Sequence, residues 1–165
     1  MRLTGIVKQV FDVGFPFVGG NLIGKYTSKN ARQDYKRNKK PPFSPPGYIF
    51  PIVWPLLYLS MGIAYSLVSN NNANKSTKGI YSLQLGLNYL WSILYFKYKL
   101  RGTALIESFA LFSAVIITTV KFYQVKKTAG LLLVPYVAWC AFASYLTTGN
   151  WVLNKDNPEY IANDK

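Results

Sequence analysis

Gln84, Asn88, Trp91 and Tyr95 recur at intervals of four, three and four residues, which puts all four side chains on one face of a helix. The segment that carries them, Gly79 to Phe96, contains no charged residue. Amides and indoles on such a stripe find no partner in hydrocarbon, so the stripe must face protein, water or a ligand. Interhelical hydrogen bonding explains Gln84 as well as a ligand does, whereas Asn88, mid-segment and close to Trp91, points to a pocket. Trp54 and Tyr58 form a second pair four residues apart, beside Pro51 and Pro55. Proline in a helix interior removes a backbone donor and bends the axis, which can open a cavity beside large rings. Trp139 and Ala143 form a third pair, a ring next to a small residue that leaves space. Pooled, these side chains suit a flat hydrophobic ligand held by stacking and a few hydrogen bonds.

What is missing narrows the chemistry further. The chain has no histidine, which excludes a histidine-ligated haem iron, a histidine-bearing zinc site and a Ser-His-Asp triad. No cysteine pair or carboxylate cluster offers metal ligands, and no phosphate-cradling loop or dinucleotide fingerprint appears. Binding without catalytic residues, metal or required cofactor is the expectation. Asp12 and Glu107 are the only acids inside apolar stretches, and Glu107 is expected in the first turns of its helix, where the macrodipole favours an acid. The lone Cys140 cannot form an intramolecular disulfide.

The elements that must position these residues are membrane helices. Between Lys127 and Lys155 no residue is charged, and about 20 apolar residues suffice to cross the hydrocarbon layer. The stretch from Tyr48 to Val68 and the segments 79–96 and 103–120 repeat the signature, the last interrupted only by Glu107. Leu3 to Ile23 is a fifth, weaker candidate because Lys8 and Asp12 interrupt its early half. An all-α integral membrane protein, a five-transmembrane-helix bundle in a single domain, follows, with spans over 3–24, 47–68, 79–98, 103–123 and 129–152 and a basic loop over 25–46. That loop holds Lys25, Lys29, Arg32, Lys36, Arg37, Lys39 and Lys40 against one acid, Asp34. Basic residues favour the cytoplasmic side, which puts this loop and the C-terminus inside. The net charge of +13 is read as juxtamembrane attraction to anionic lipid, with no nucleic-acid partner. Ser82 and Gly86 form a small-xxx-small pair able to bring helices close, and Phe122 and Tyr123 are expected as interfacial anchors.

The runs KPPFSPPGYIFPIVWPLLYLSMGIAYSLV (40–68), LQLGLNYLWSILYF (83–96) and LLVPYVAWCAFASYL (132–146) resemble the translocator protein family, also known as TspO/MBR or the peripheral benzodiazepine receptor family. The similarity extends from about Gly19 to Asn154, and it is the ordered combination of motifs that makes it specific. The resemblance implies a five-helix bundle, commonly a homodimer, with a pocket opening towards the first loop. It implies tetrapyrrole ligands such as protoporphyrin IX and haem, sterols, and benzodiazepine-type compounds. Carried over by motif position, the pocket residues are Tyr35 and Pro45, Trp54 and Tyr58, Asn88 and Trp91, and Trp139 and Ala143. The chain departs from the family in its first helix, at Phe122 where a tryptophan is common, and at Thr148 and Val152, where the animal sterol motif has Tyr and Arg.

Four roles compete on this reading. A membrane receptor or carrier for tetrapyrroles is the leading one. A light-dependent porphyrin-degrading enzyme acting through Trp54 and Trp139, as the resemblance suggests for some bacterial members, is the second. A sterol-binding protein or a scaffold without ligand completes the set. The resemblance implies the mitochondrial outer membrane in a eukaryote and otherwise a bacterial membrane.

Overall fold

The computed structural model describes residues 3–163, and all regular structure among them is helical. Five long helices follow one another: α1 (Leu3–Arg37), α2 (Phe50–Asn70), α3 (Lys75–Ser92), α4 (Arg101–Val125) and α5 (Lys127–Asn154). A single 3-10 turn, Gly47–Ile49, leads into α2, and a π-helical turn, Ile93–Lys97, extends α3. The 3-10 turn with α2, α4, and α5 are each long and apolar enough to cross a membrane. Lys8 and Asp12 in α1, and Lys75, Lys78, Gln84 and Asn88 in α3, make those two helices more polar. The chain is an all-α membrane protein built from five helices.

The basic segment is the main departure from expectation. Helix α1 does not stop near residue 24 but continues through Arg37, so only residues 38–46 form an irregular connection. Lysine, arginine, glutamine and alanine are good helix formers, so the segment has no intrinsic reason to unwind. Tertiary contacts then hold it. The Asn30 amide donates to the Phe96 carbonyl at 3.0 Å, and Asp34 takes a 2.7 Å ion pair from Arg101. The expected start of the third span at Gly79 also moves. Asn74 caps α3 by accepting from the Thr77 backbone N–H at 2.8 Å, which places the first helical residue at Lys75.

Close packing fixes how the helices cross. A Cβ on Gly62 would lie 2.6 Å from the Val13 Cα, so glycine lets α2 meet the α1 backbone directly. One extended residue, Lys126, separates α4 from α5, and Gly130 sits against Tyr123 in the tight reversal. Phe122, expected at the interface, is instead fully buried and stacks on Tyr81 at 5.6 Å. The buried layer is formed by Met61, Ala64 and Val68 of α2, Val115 and Phe122 of α4, and Leu133 and Tyr136 of α5. Val7, Phe11, Leu22, Leu56, Ile106, Val120 and Leu131 point outward, an apolar exterior that suits lipid. Pro51 falls in the first turn of α2, where its missing N–H costs nothing, while Pro55 is truly interior.

Candidate functional site

Helix α2 places Phe50, Trp54 and Tyr58 one turn apart on the face turned to α5 and α3. Trp54 stacks on Tyr58 with ring centroids 5.6 Å apart and meets Trp139 of α5 edge-on at 6.4 Å. Trp139 in turn contacts Phe50 at 5.9 Å, and Phe50 contacts Tyr35 of α1 at 5.6 Å. A ladder of five rings therefore runs from the irregular connection into the bundle. At its outer end the Tyr35 hydroxyl donates to the Pro45 carbonyl, and the Lys40 ammonium sits 4.9 Å from the Tyr35 ring centre. Partial burial there holds the Tyr35 phenol above its ordinary pKa.

At the inner end the ladder meets a buried polar chain. Tyr58 donates to the Asn88 side-chain oxygen, Asn88 donates to the Tyr136 hydroxyl at 2.9 Å, and Tyr136 donates to Gln84 at 2.8 Å. Three of these four groups were expected to face a ligand or a helix, and the geometry gives each a definite duty. Gln84 is an interhelical hydrogen-bonding group, while Asn88 both ties α2 to α5 and forms part of a cavity wall. The π-helical turn after α3 keeps Tyr95 buried, stacked on Trp91 at 5.1 Å.

A small cavity, about 10 Å³, lies between α2, α3, α4 and α5. Its wall includes Trp54, Asn88, Trp91 and Ala143, together with Ser108, Leu111, Cys140 and Ser144. That is about the space of one water molecule, far below the several hundred cubic ångströms of a typical ligand pocket. A large flat molecule must part the rings to enter. Two buried indole N–H groups, on Trp91 and Trp139, have no acceptor among the described residues and would donate to one. No group of histidine, cysteine or acidic residues among the described residues could hold a metal ion.

The eight residues singled out from the sequence divide between the ring ladder and the cavity wall. Trp54, Asn88, Trp91 and Ala143 border the cavity, Tyr58 underpins it, and Trp139, Tyr35 and Pro45 lead outward. Sequence reading missed Phe50, which a periodic scan reveals four residues before Trp54, and Tyr136, which spacing places one turn before Cys140. It also missed Ser108 and Ser144, whose small polar side chains give no signal until α4 and α5 are packed together.

The TspO/MBR family profile matches residues 13–152. The Tryptophan-rich protein TspO of Archaeoglobus fulgidus is 35% identical over 156 residues, covering 93% of this chain and 97% of that protein. The human Translocator protein is 36% identical over 147 residues, 86% of this chain and 85% of its own length. A Tryptophan-rich sensory protein from Cereibacter sphaeroides is 33% identical over 125 residues, 76% of this chain and 79% of that protein.

Proposed function

The chain belongs to the TspO/MBR family, and from that premise we propose that it is a membrane receptor or carrier for tetrapyrroles, protoporphyrin IX and haem among them. The names of its relatives support the coarser part, a translocating or sensing role in a membrane. The ladder of Tyr35, Phe50, Trp139, Trp54 and Tyr58 ending at the Asn88 cavity carries the finer part. Such rings offer stacking faces to a flat macrocycle, and the two free indole N–H groups offer donors to its polar edge. The ligand binds without covalent chemistry, so no catalytic residue or resident cofactor is assigned. Benzodiazepine-type compounds fit the same description of flat, apolar ligands.

Two further features belong to this proposal. The outward face of α3 around Ser82 and Gly86, where a Cβ on Gly86 meets nothing within 4 Å, is offered as a homodimer contact. The membrane is the mitochondrial outer membrane if the chain is eukaryotic and a bacterial membrane otherwise.

Tryptophan quenching by protoporphyrin IX tests the reading. The purified protein should quench saturably, and a Trp54→Phe/Trp139→Phe variant should lose most of the quenching. Absence of saturable quenching would remove the binding role. Illumination of the complex separates carrier from enzyme: an unchanged porphyrin absorption spectrum is expected, and bleaching that depends on Trp54 and Trp139 would favour the degradative reading.

A further inference from the structure

Glu107 lies in the second turn of α4, only 8% exposed, and neither carboxyl oxygen has a hydrogen-bond partner among the described residues. It is not in the first turn, so the helix macrodipole does not explain it. Every other acid buried in the bundle is paired: Asp12 with Lys8 at 2.9 Å and Asp34 with Arg101 at 2.7 Å. An isolated carboxylate in low dielectric is costly and needs either a cation or a proton. Among the described residues no cation pairs with it, and α2 and α3 bring no titratable group to it; helix α5 brings Cys140 into electrostatic contact, and on α4 itself Arg101 is committed to Asp34 of α1.

The surroundings are polar on two sides. The next residue, Ser108, borders the cavity, where its carbonyl accepts from Ser144 of α5 at 3.4 Å. That contact sets the antiparallel register and puts Thr147 and Thr148 level with the turn that carries Glu107. Towards the irregular connection follow the unpartnered Asn150 oxygen and the unpartnered Nε and Nη1 of Arg101. Arg101 is about 9 Å along the helix axis from Glu107. Thr147 and Thr148, whose hydroxyls donate to the Ala143 and Ser144 carbonyls, the Asn150 amide and the Arg101 guanidinium thus follow one another along the α4–α5 interface, between the Glu107 carboxyl and the connection end of the bundle.

We propose that Glu107 is a membrane-embedded proton-binding site that exchanges with water at the Arg101 end through the α4–α5 interface, and that ligand entry at the cavity changes its proton occupancy. The step is a proton transfer: one O–H bond of hydronium breaks and leaves water, and the proton forms an O–H bond on one Glu107 oxygen. The proton site stands on its own geometry, whereas the coupling rests on the tetrapyrrole site proposed above.

Carbodiimide labelling tests the first part without any porphyrin. N,N′-dicyclohexylcarbodiimide adds to a protonated carboxyl and rearranges to a stable N-acylurea, with no leaving group. In the protein in lipid nanodiscs, peptide mass spectrometry should find the adduct on Glu107, with Asp12 and Asp34 unlabelled. The adduct should persist in Glu107→Asp and be lost in Glu107→Gln, with helicity by circular dichroism unchanged in both. No labelling of Glu107 at any pH where the protein is folded would overturn the site. For the coupling, the probe is protoporphyrin IX dimethyl ester, whose propionates cannot ionise. Its binding should slow Glu107 labelling in proportion to occupancy. Saturable tryptophan quenching with an unchanged labelling rate would overturn the coupling, while labelling without any quenching would overturn the tetrapyrrole reading and leave the proton site standing.

Discussion

Asn88 shows how much one side chain can be asked to do. Its oxygen accepts from Tyr58 and its nitrogen donates to Tyr136, so it pins α2 to α5 while bordering the cavity. Replacing it with leucine strands the buried Tyr58 hydroxyl, at about 1–3 kcal/mol for a group left without a partner, and leaves the Tyr136 hydroxyl its bond to Gln84 alone. A lowered melting temperature in detergent and weaker porphyrin quenching are expected for Asn88→Leu, and Tyr58→Phe should cost less because it leaves Asn88 one partner. Unchanged melting would show that these hydroxyls find other acceptors. Gly20 is a second single-residue test. A Cβ there would lie 2.1 Å from the Tyr58 ring, so Gly20→Ala must push Tyr58 off Asn88 or move α1. Overpacking of this kind costs about 1–3 kcal/mol, read as a drop in melting temperature. The helical spacing of Asn88, Trp91, Trp54 and Tyr58 was legible in the sequence because period and polarity are local properties. That Asn88 spends both ends of its amide on tyrosines was not, because those tyrosines come from other helices.

At the scale of elements, the extension of α1 past the membrane-like segment is anchored by a buried ion pair beside the Asn30–Phe96 hydrogen bond. Arg101 is 2% exposed, lies between the rings of Tyr95 and Tyr160 at 4.3 and 5.0 Å, and reaches Asp34 near the end of α1. Removing one partner of a buried pair leaves a charge without compensation, at about 3–5 kcal/mol, whereas replacing both with neutral groups is often tolerated. Arg101→Met should therefore raise amide exchange across residues 25–37, and Asp34→Asn/Arg101→Met should restore protection. Equal exchange in the single and double variants would show that the helix holds without the pair. The sequence presented residues 25–46 as a basic loop because charge is the conspicuous signal there. Helix propensity and a distant arginine outweighed it, and Asp34 against seven basic neighbours looked incidental until Arg101 was found beside it.

For the whole molecule, the decisive quantity is the cavity volume. About 10 Å³ cannot receive a macrocycle, so binding requires a conformation in which the rings of Phe50, Trp54 and Trp139 separate. Porphyrin association followed by stopped-flow quenching should then reach a plateau rate as ligand concentration rises, because opening becomes limiting. Phe50→Ala, which removes a ring from the ladder without touching the cavity wall, should raise that plateau. A rate linear in porphyrin across the accessible range would mean that the ligand meets a preformed surface instead.

Sequence alone determined the membrane character, the five-helix composition and the family, because each rests on runs of apolar residues and on ordered local motifs that need no folding to be seen. It also determined which residue types could bind and excluded those that could ligate a metal through histidine. Only the tertiary structure decided which polar groups are spent on one another and which are left over. Tyr58, Asn88, Tyr136 and Gln84 satisfy each other, while the Glu107 carboxyl and the indole N–H groups of Trp91 and Trp139 find no hydrogen-bond partner among the described residues. The reason is physical: a buried donor or acceptor is judged by what stands within about 3 Å of it, and in a helical bundle that neighbour belongs to another helix.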